Sequence, residues 1–436
     1  MTSLWRNHRY VAWLIGDTGK GLAFTLFGFA VPLLALIVTN DPAQAGIIGA
    51  VGMAVRLVLT LYGGVLADRH PRVRLMILGS VFGAVIAAGF TLLALTGALS
   101  FTTLLVVEVL LAIGAGLFNS AGESALKEVV TDDTMGRAQA ANQARDAALQ
   151  LAGGPLGGAL LVVGGWLVGA VMAACHLVAA VAAALIPRMS GPAAPEPATA
   201  PASGSLPEGG TRKPNAFREI REGFTWLFSR ADLRGSLVIL TIINLGINVA
   251  MTTVIYSLQQ GGYSTAVIGL ISTGLGAATL VGALTASALV ARIGAGKLLI
   301  TGLVLLAVGS AAVALVHEPL WIIAVMIVPG LMLAPINAAL GGYFMVATPS
   351  AMMGRASSAS NVLGMGAMPL APLVAGFGLT LIGREGTILI GAGLCAIAAL
   401  LALANRGLRS LPAEAGWAAH ARRFEPTPTA ASVPTP

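Results

Sequence analysis

The stretch GGVLADRHPRVRLMI, residues 63–77, breaks an otherwise apolar text. A glycine-rich run stops at Asp68-Arg69, Arg72 and Arg74 follow, and apolar residues resume at Leu75. Charges crowded into one short turn between apolar runs suit a chain whose flanks lie in lipid, with the turn left among headgroups and water. The composition agrees. Of 436 residues, 56% are hydrophobic and 10% charged, and the mean hydropathy is +0.87. Soluble domains carry about 25% charged residues, so this chain could not cover a water-facing globule.

A bilayer span needs about 20 apolar residues. Runs of that length fall near 11–38, 46–66, 75–97, 101–125, 138–163, 165–186, 236–258, 266–290, 297–316, 319–346, 356–382 and 387–404. This predicts an all-α polytopic membrane protein with twelve transmembrane helices in two pseudo-symmetric six-helix bundles, residues 1–186 and 236–405. Between them, 187–235 reads as a cytoplasmic linker. It is rich in Pro, Ala, Gly and Ser and disordered at first, then forms an amphipathic surface helix over 217–230. The tail, 406–436, is Ala/Pro/Thr-rich and is expected to be disordered. MTSLWRNHRY is too polar to open a cleavable signal peptide.

Basic residues set the expected orientation. Only Lys20, Arg56 and Arg145 fall within spans, and only Arg384 lies in a turn on the side of 39–45 and 259–265. The remaining Lys and Arg share the opposite side with both termini and the linker, which predicts a multi-pass plasma-membrane protein with both termini cytoplasmic. The net charge of +7 is thereby a topology signal and not a nucleic-acid footprint. Cys175 and Cys395 lie far apart in apolar stretches and read as unpaired thiols, and no metal or cofactor pattern accompanies them. Nothing resembles a nucleotide loop or a nucleophile with its base, so an enzyme is not expected.

The halves repeat. LADRHPRVRLMI (66–77) aligns without gaps to LVARIGAGKLLI (289–300), MGRAQAANQ (135–143) matches MGRASSASN (353–361), and at the latter offset Asn119 pairs with Asn337. Parallel repeats of this kind place a substrate site at the midplane between two bundles.

GGVLADRHPRVR resembles the loop signature of the major facilitator superfamily between its second and third helices. GGPLGG (153–158) is similar to the core of that superfamily's antiporter-associated motif, here Gly154, Pro155, Gly157 and Gly158. RNHRYVAWLIGDTGKG and FREIREGFTWLFSRADLRGS resemble one branch, which includes enterobactin exporters and macrolide efflux pumps. The fourth span departs from the pattern of proton-coupled drug exporters, lacking their arginine and showing Glu108 and Glu123 instead. The resemblance implies secondary transport by alternating access. It also implies a gate in which Asp68, within Gly64, Asp68, Arg69 and Arg72, meets the start of the eleventh helix at Arg355.

Charges inside spans are the remaining candidates, since each costs about 2.5–3.5 kcal/mol on insertion scales. Asp17 and Lys20 share a face at i, i+3, and Lys20 and Arg56 both come near mid-membrane. They read either as a buried ion pair that fixes helix packing or as a proton or substrate-charge site. The glycines around Pro155 read as permitting close helix approach. Asn142, Asp146 and Gln150 form an inward polar stripe on the fifth span, and Asn244 and Asn248 begin another on the seventh. His176 is expected to be a satisfied interior histidine. The leading expectation is a monomeric exporter of a small amphipathic or hydrophobic compound (drug, siderophore or secondary metabolite) driven by proton antiport, with Asp17 as coupling acid and Asp146 as rival. An uptake symporter for a small metabolite, or a non-transporting sensor or scaffold, are the alternatives.

Overall fold

A computed structural model describes residues 4–130, 132–186, 216–349 and 352–424. Residues 187–215, the first part of the expected linker, and 425–436 lie outside that set. The helices are α1 His8–Thr39, α2 Pro42–Arg69, α3 Arg72–Leu95, α4 Phe101–Val129, α5 Asp132–Val163, α6 Gly165–Ala184, α7 Ala216–Ser229, α8 Ala231–Gln260, α9 Thr265–Arg292, α10 Ala295–Ala314, α11 Pro319–Ala347, α12 Met353–Gly366, α13 Leu370–Ala404, α14 Arg406–Arg409 and α15 Trp417–Arg422. No strand occurs among the described residues. Hydrocarbon offers a backbone no hydrogen-bond partner, so each span must satisfy its own amides.

The twelve spans follow the apolar runs, with α1–α6 and α8–α11 contributing ten. The eleventh is broken. It runs through α12, a turn at Ala367–Pro369, and the first part of α13. The twelfth is the remainder of α13 after Gly383, whose φ of 76° lies outside the helical range. Helix starts are capped where the sequence offers side chains. Asn7 accepts from the Arg9 and Tyr10 amides, Asp41 accepts from Ala43, and Ser100 with Thr103 forms a capping box.

Two compact units emerge from the contacts, Met1–Ala216 with Gln259–Leu270, and Phe217–Leu258 with Ile271–Pro436. In the first, α2 packs along α4, α3 along α6, and α1 touches α2, α4, α5 and α6. In the second, α10 packs on α11 and α13. The helix after the linker, α7, belongs to the second unit, where Gly223 lies directly on the Arg355 carbonyl and Leu227 is buried. Leu284, Leu315, Leu320 and Leu381 are exposed on the outside of these units, as lipid-facing surfaces require.

The expected disorder of the tail is corrected for 406–424. Leu408, Leu411, Trp417 and Ala421 are buried in the core of the second unit. The first amides of α10 are closed by this segment, since Ala295 N donates to Pro412 O at 3.0 Å and Gly296 N to Leu411 O at 3.1 Å. At its other end, Arg384 donates to the carbonyls of Ala314 (3.2 Å) and Val313 (3.1 Å), so both ends of α10 are satisfied from elsewhere in the chain. Beneath α15 lies a buried ion pair. Arg230 grips Asp232 through two bonds of 3.0 and 2.9 Å and donates to Ala421 O, while Tyr343 Oη donates to Asp232 at 2.6 Å. Trp417 and His420 pack against the Tyr343 ring.

Burial, helped by the charge of Arg423, holds His420 below the ordinary histidine value against the opposing pull of Asp232. The docked state therefore favours the neutral imidazole, so docking is intact above about pH 6.5 and weakens as pH falls through the lower docked value. Limited proteolysis should cut the segment after Arg409 increasingly on acidification towards about pH 5, and His420→Phe should remove that dependence. Cleavage independent of pH in the wild type would contradict the assignment.

Candidate functional site

The first unit holds most of the in-span charges, and its helices sort them into two groups. The first group centres on Arg145 of α5. Its guanidinium bonds Asp17 of α1 at 2.8 Å and Asp146 at 2.8 Å, and lies over the Trp13 ring, 5.8 Å from its centroid. Trp13 is itself fixed by its indole N–H, which donates to Gly122 O on α4 at 2.8 Å. A side chain at Gly122 would come within 3.1 Å of the Asp17 carboxylate, so glycine there lets the acid reach inward. Asp17 is thus paired with Arg145, and not with Lys20 or Arg56 as its position along α1 suggests. The side chains of Asp17 and Arg145 are 24% and 15% exposed, so the pair is screened from solvent without being sealed from it.

The second group lines a cavity of about 120 Å³ within the first unit. Lys20, Arg56, Glu108, Asn119 and His176 reach it, among Phe24, Phe27, Phe82 and Phe118. Glu108 of α4 is buried here. Its carboxylate occupies the space where any side chain on Gly52 would sit, one helical turn from Arg56. Arg56 lies over the Phe24 ring at 4.9 Å. His176 departs from expectation: its Nδ1 is buried without a hydrogen-bond partner, as is Lys20 Nζ.

The remaining candidates divide. In the polar stripe of α5, Asn142 is buried while Asp146 and Gln150 are exposed. Asn248 donates to the carbonyl of Asn244 one turn earlier on α8, at 2.8 Å, and Asn244 borders a small pocket of the second unit with Asn337. Arg72 ties the start of α3 to the end of α4, pairing with Glu128 at 2.6 Å and donating to Ser124 O at 3.0 Å. Arg69 is exposed. Arg355 pairs with Glu222 of α7 at 3.0 Å. The Asp68 side chain lies outside the described residues. Cys175 and Cys395 are free thiols, and no cluster suited to a metal ion occurs among the described residues.

The glycine motif of α5 works through contact. Gly153 and Gly157 face Thr25 and Phe29 of α1. Gly158 lies on the Thr265 carbonyl and Gly154 on Gly269, both at the start of α9 within this same unit. Thr265 Oγ1 donates to Gly158 O at 2.8 Å, sealing the approach. Sequence reasoning anticipated a close approach here but not its partner helix.

The model of the Major Facilitator Superfamily matches residues 18–261 and 236–431. The chain belongs to that superfamily. No match was found among curated proteins. Among solved structures it is similar to a mutant of the nucleoside transporter NupG, with TM-score 0.68, 14% identity, and 91% of this chain and 100% of that one covered. A bacterial homologue of the iron transporter ferroportin in an inward-facing state gives TM-score 0.69 and 14% identity over 94% of this chain and 100% of that one. A bacterial homologue of the human lysosomal transporter Spinster, inward-facing and unoccupied, gives 0.64 and 16% over 97% and 98%. At these identities the likeness is one of fold.

Gly158→Ala would force its new Cβ against the Thr265 carbonyl, whereas the space around Gly64 is open. Overpacking costs about 1–3 kcal/mol, so thermal denaturation in detergent should show Gly158→Ala destabilised and Gly64→Ala close to wild type.

Proposed function

We propose that this member of the superfamily exports a small amphipathic or hydrophobic compound in exchange for protons, with Asp17 as the coupling acid. The observation that carries the reading is the Asp17–Arg145–Asp146 arrangement among α1, α4 and α5. An antiporter needs a carboxylate that takes up a proton in one state and yields it in another. A carboxylate held by a guanidinium is a switch of that kind: protonating Asp17 removes one of the two charges that Arg145 binds and leaves the guanidinium with Asp146 alone. Because α1 and α5 supply the two partners, the proton's arrival changes what holds those helices together. The glycine motif places the start of α9 against the same α5, so a change in α5 reaches it directly.

The orientation proposed with this reading puts both termini and the linker in the cytoplasm of a plasma-membrane protein acting as a monomer. Cysteines introduced in the 39–45 or 259–265 turns should then react with an impermeant maleimide on whole cells, while cysteines in 192–212 should stay protected. Labelling of the linker from outside would reverse the orientation.

Asp17→Asn in proteoliposomes should abolish substrate accumulation driven by an imposed pH gradient while leaving substrate binding in place. Asp146→Asn should keep gradient-driven flux, because Asp146 is exposed and is the second of Arg145's two partners. The converse pattern would move the coupling site to α5. Full gradient-driven flux in both variants would remove the proton-antiport reading.

A further inference from the structure

We propose that the cavity inside the first bundle binds a small monoanion, a carboxylate carried on a single aromatic ring or a branched apolar group of similar size. The argument starts from Lys20. Its ammonium is buried, and among the described residues no atom accepts a hydrogen bond from it. Two acids are near, Asp17 and Glu123, but neither accepts a hydrogen bond from it. Asp17 is bonded to Arg145, and Glu123 is exposed. An ammonium has three donors and no acceptor, and burying one without an acceptor is costly. A ligand that brings an anionic acceptor would meet that need.

The rest of the cavity narrows the class. Arg56 supplies a second cation and Glu108 a single acid, and that acid sits on Gly52 beside Arg56. Two basic side chains thus face one carboxyl in this lining, an excess that suits a monoanion better than a cation or a dianion. The buried Nδ1 of His176 provides one further uncommitted polar atom. The walls are otherwise apolar and aromatic, with Phe24, Phe27, Phe82 and Phe118 joined by Met53, Leu111 and Met172. A volume of about 120 Å³ is close to the cavity of about 150 Å³ that holds one benzene, so it admits one ring and not a fused or extended skeleton. Gly83 lies against the imidazole and Gly79 against Phe118, so larger residues at either would consume the space. The proposal rests on the export reading only in taking the bound anion to be the transported compound; the binding stands by itself.

The test uses the full-length protein purified in detergent, without a pH gradient, with benzoate as probe and benzamide and benzylammonium as its neutral and cationic counterparts. Calorimetry should find benzoate bound at least tenfold more tightly than either. Lys20→Gln should weaken benzoate at least tenfold, and Glu108→Gln should strengthen it by removing the only acid in the lining. Should Lys20→Gln fail to fold, Arg56→Gln with Glu108→Gln gives the same pair of opposite shifts. Preference for benzylammonium, absence of benzoate binding, or benzoate affinity unmoved by the cation variants overturns the site. Benzoate binding without gradient-driven flux in proteoliposomes leaves the site standing and sinks the export reading, and flux of other compounds without benzoate binding does the reverse.

Discussion

A membrane interior tolerates charge only when the protein supplies its partner, and Arg145 is where this chain meets that condition most fully. One guanidinium holds Asp17 across the α1–α5 contact and Asp146 on its own helix, and stacks on Trp13. Planar, permanently charged and able to bond two carboxylates at once, arginine suits this position in a way lysine does not. Trp13, positioned by Gly122 O, ties the same cluster to α4. Three helices therefore meet around one cation, and loss of charge on Asp17 removes its bond across the α1–α5 contact.

That commitment also explains the second group. Arg145 takes both nearby aspartates, and Lys20 has no acceptor among the described residues, although it lies one turn from Asp17 on the same helix. The neighbouring pair, Arg56 and Glu108, is arranged along the α2–α4 contact, where Gly52 gives the carboxylate room. Structural ion pairs usually come closed, with each charge met by its opposite. Here Arg145 is met by two carboxylates, and the adjoining cluster is left with an excess ammonium facing aromatic walls. The difference separates a part that holds helices together from a part able to receive something from outside.

Much of this was legible in the sequence, and the limit has a physical form. Apolar length gave the spans, since hydrocarbon thickness fixes how many residues a helix must contain. The basic turns at 69–74 and the matching segments at 289–300 and 353–361 gave the two related halves. The in-span charges, Asp17, Lys20, Arg56, Glu108, Arg145 and Asp146, were visible as residues that lipid penalises. Their pairing was not. Spacing along one helix tells which face a residue shares, but the partner depends on how neighbouring helices are rotated and staggered. That is how Arg145 displaced Lys20 and Arg56 as the partner of Asp17. Nor does position along α4 tell of the glycine opposite Glu108, Gly52. The tail failed differently: an average rich in Ala, Pro and Thr concealed Leu408, Leu411 and Trp417, a few apolar residues sufficient to dock a short segment.

The glycines complete the geometry of the proposed coupling. On α5, Gly153 and Gly157 admit α1, while Gly154 and Gly158 admit the start of α9, so one helix presents two smooth faces and carries Arg145 a little over two turns before them. Pro155 lies between these faces and removes one backbone donor within the helix, which weakens the helix's resistance to bending there. A carboxylate that lets go of Arg145 thus acts on a helix already built to flex beside its smooth contacts. Large side chains at those positions would interlock and hold α5 at one angle; glycine leaves backbone against backbone, where a small shift breaks few contacts. The coupling of a proton to movement needs both features on one element, a charge whose partner can change and a contact surface that permits the helix to respond.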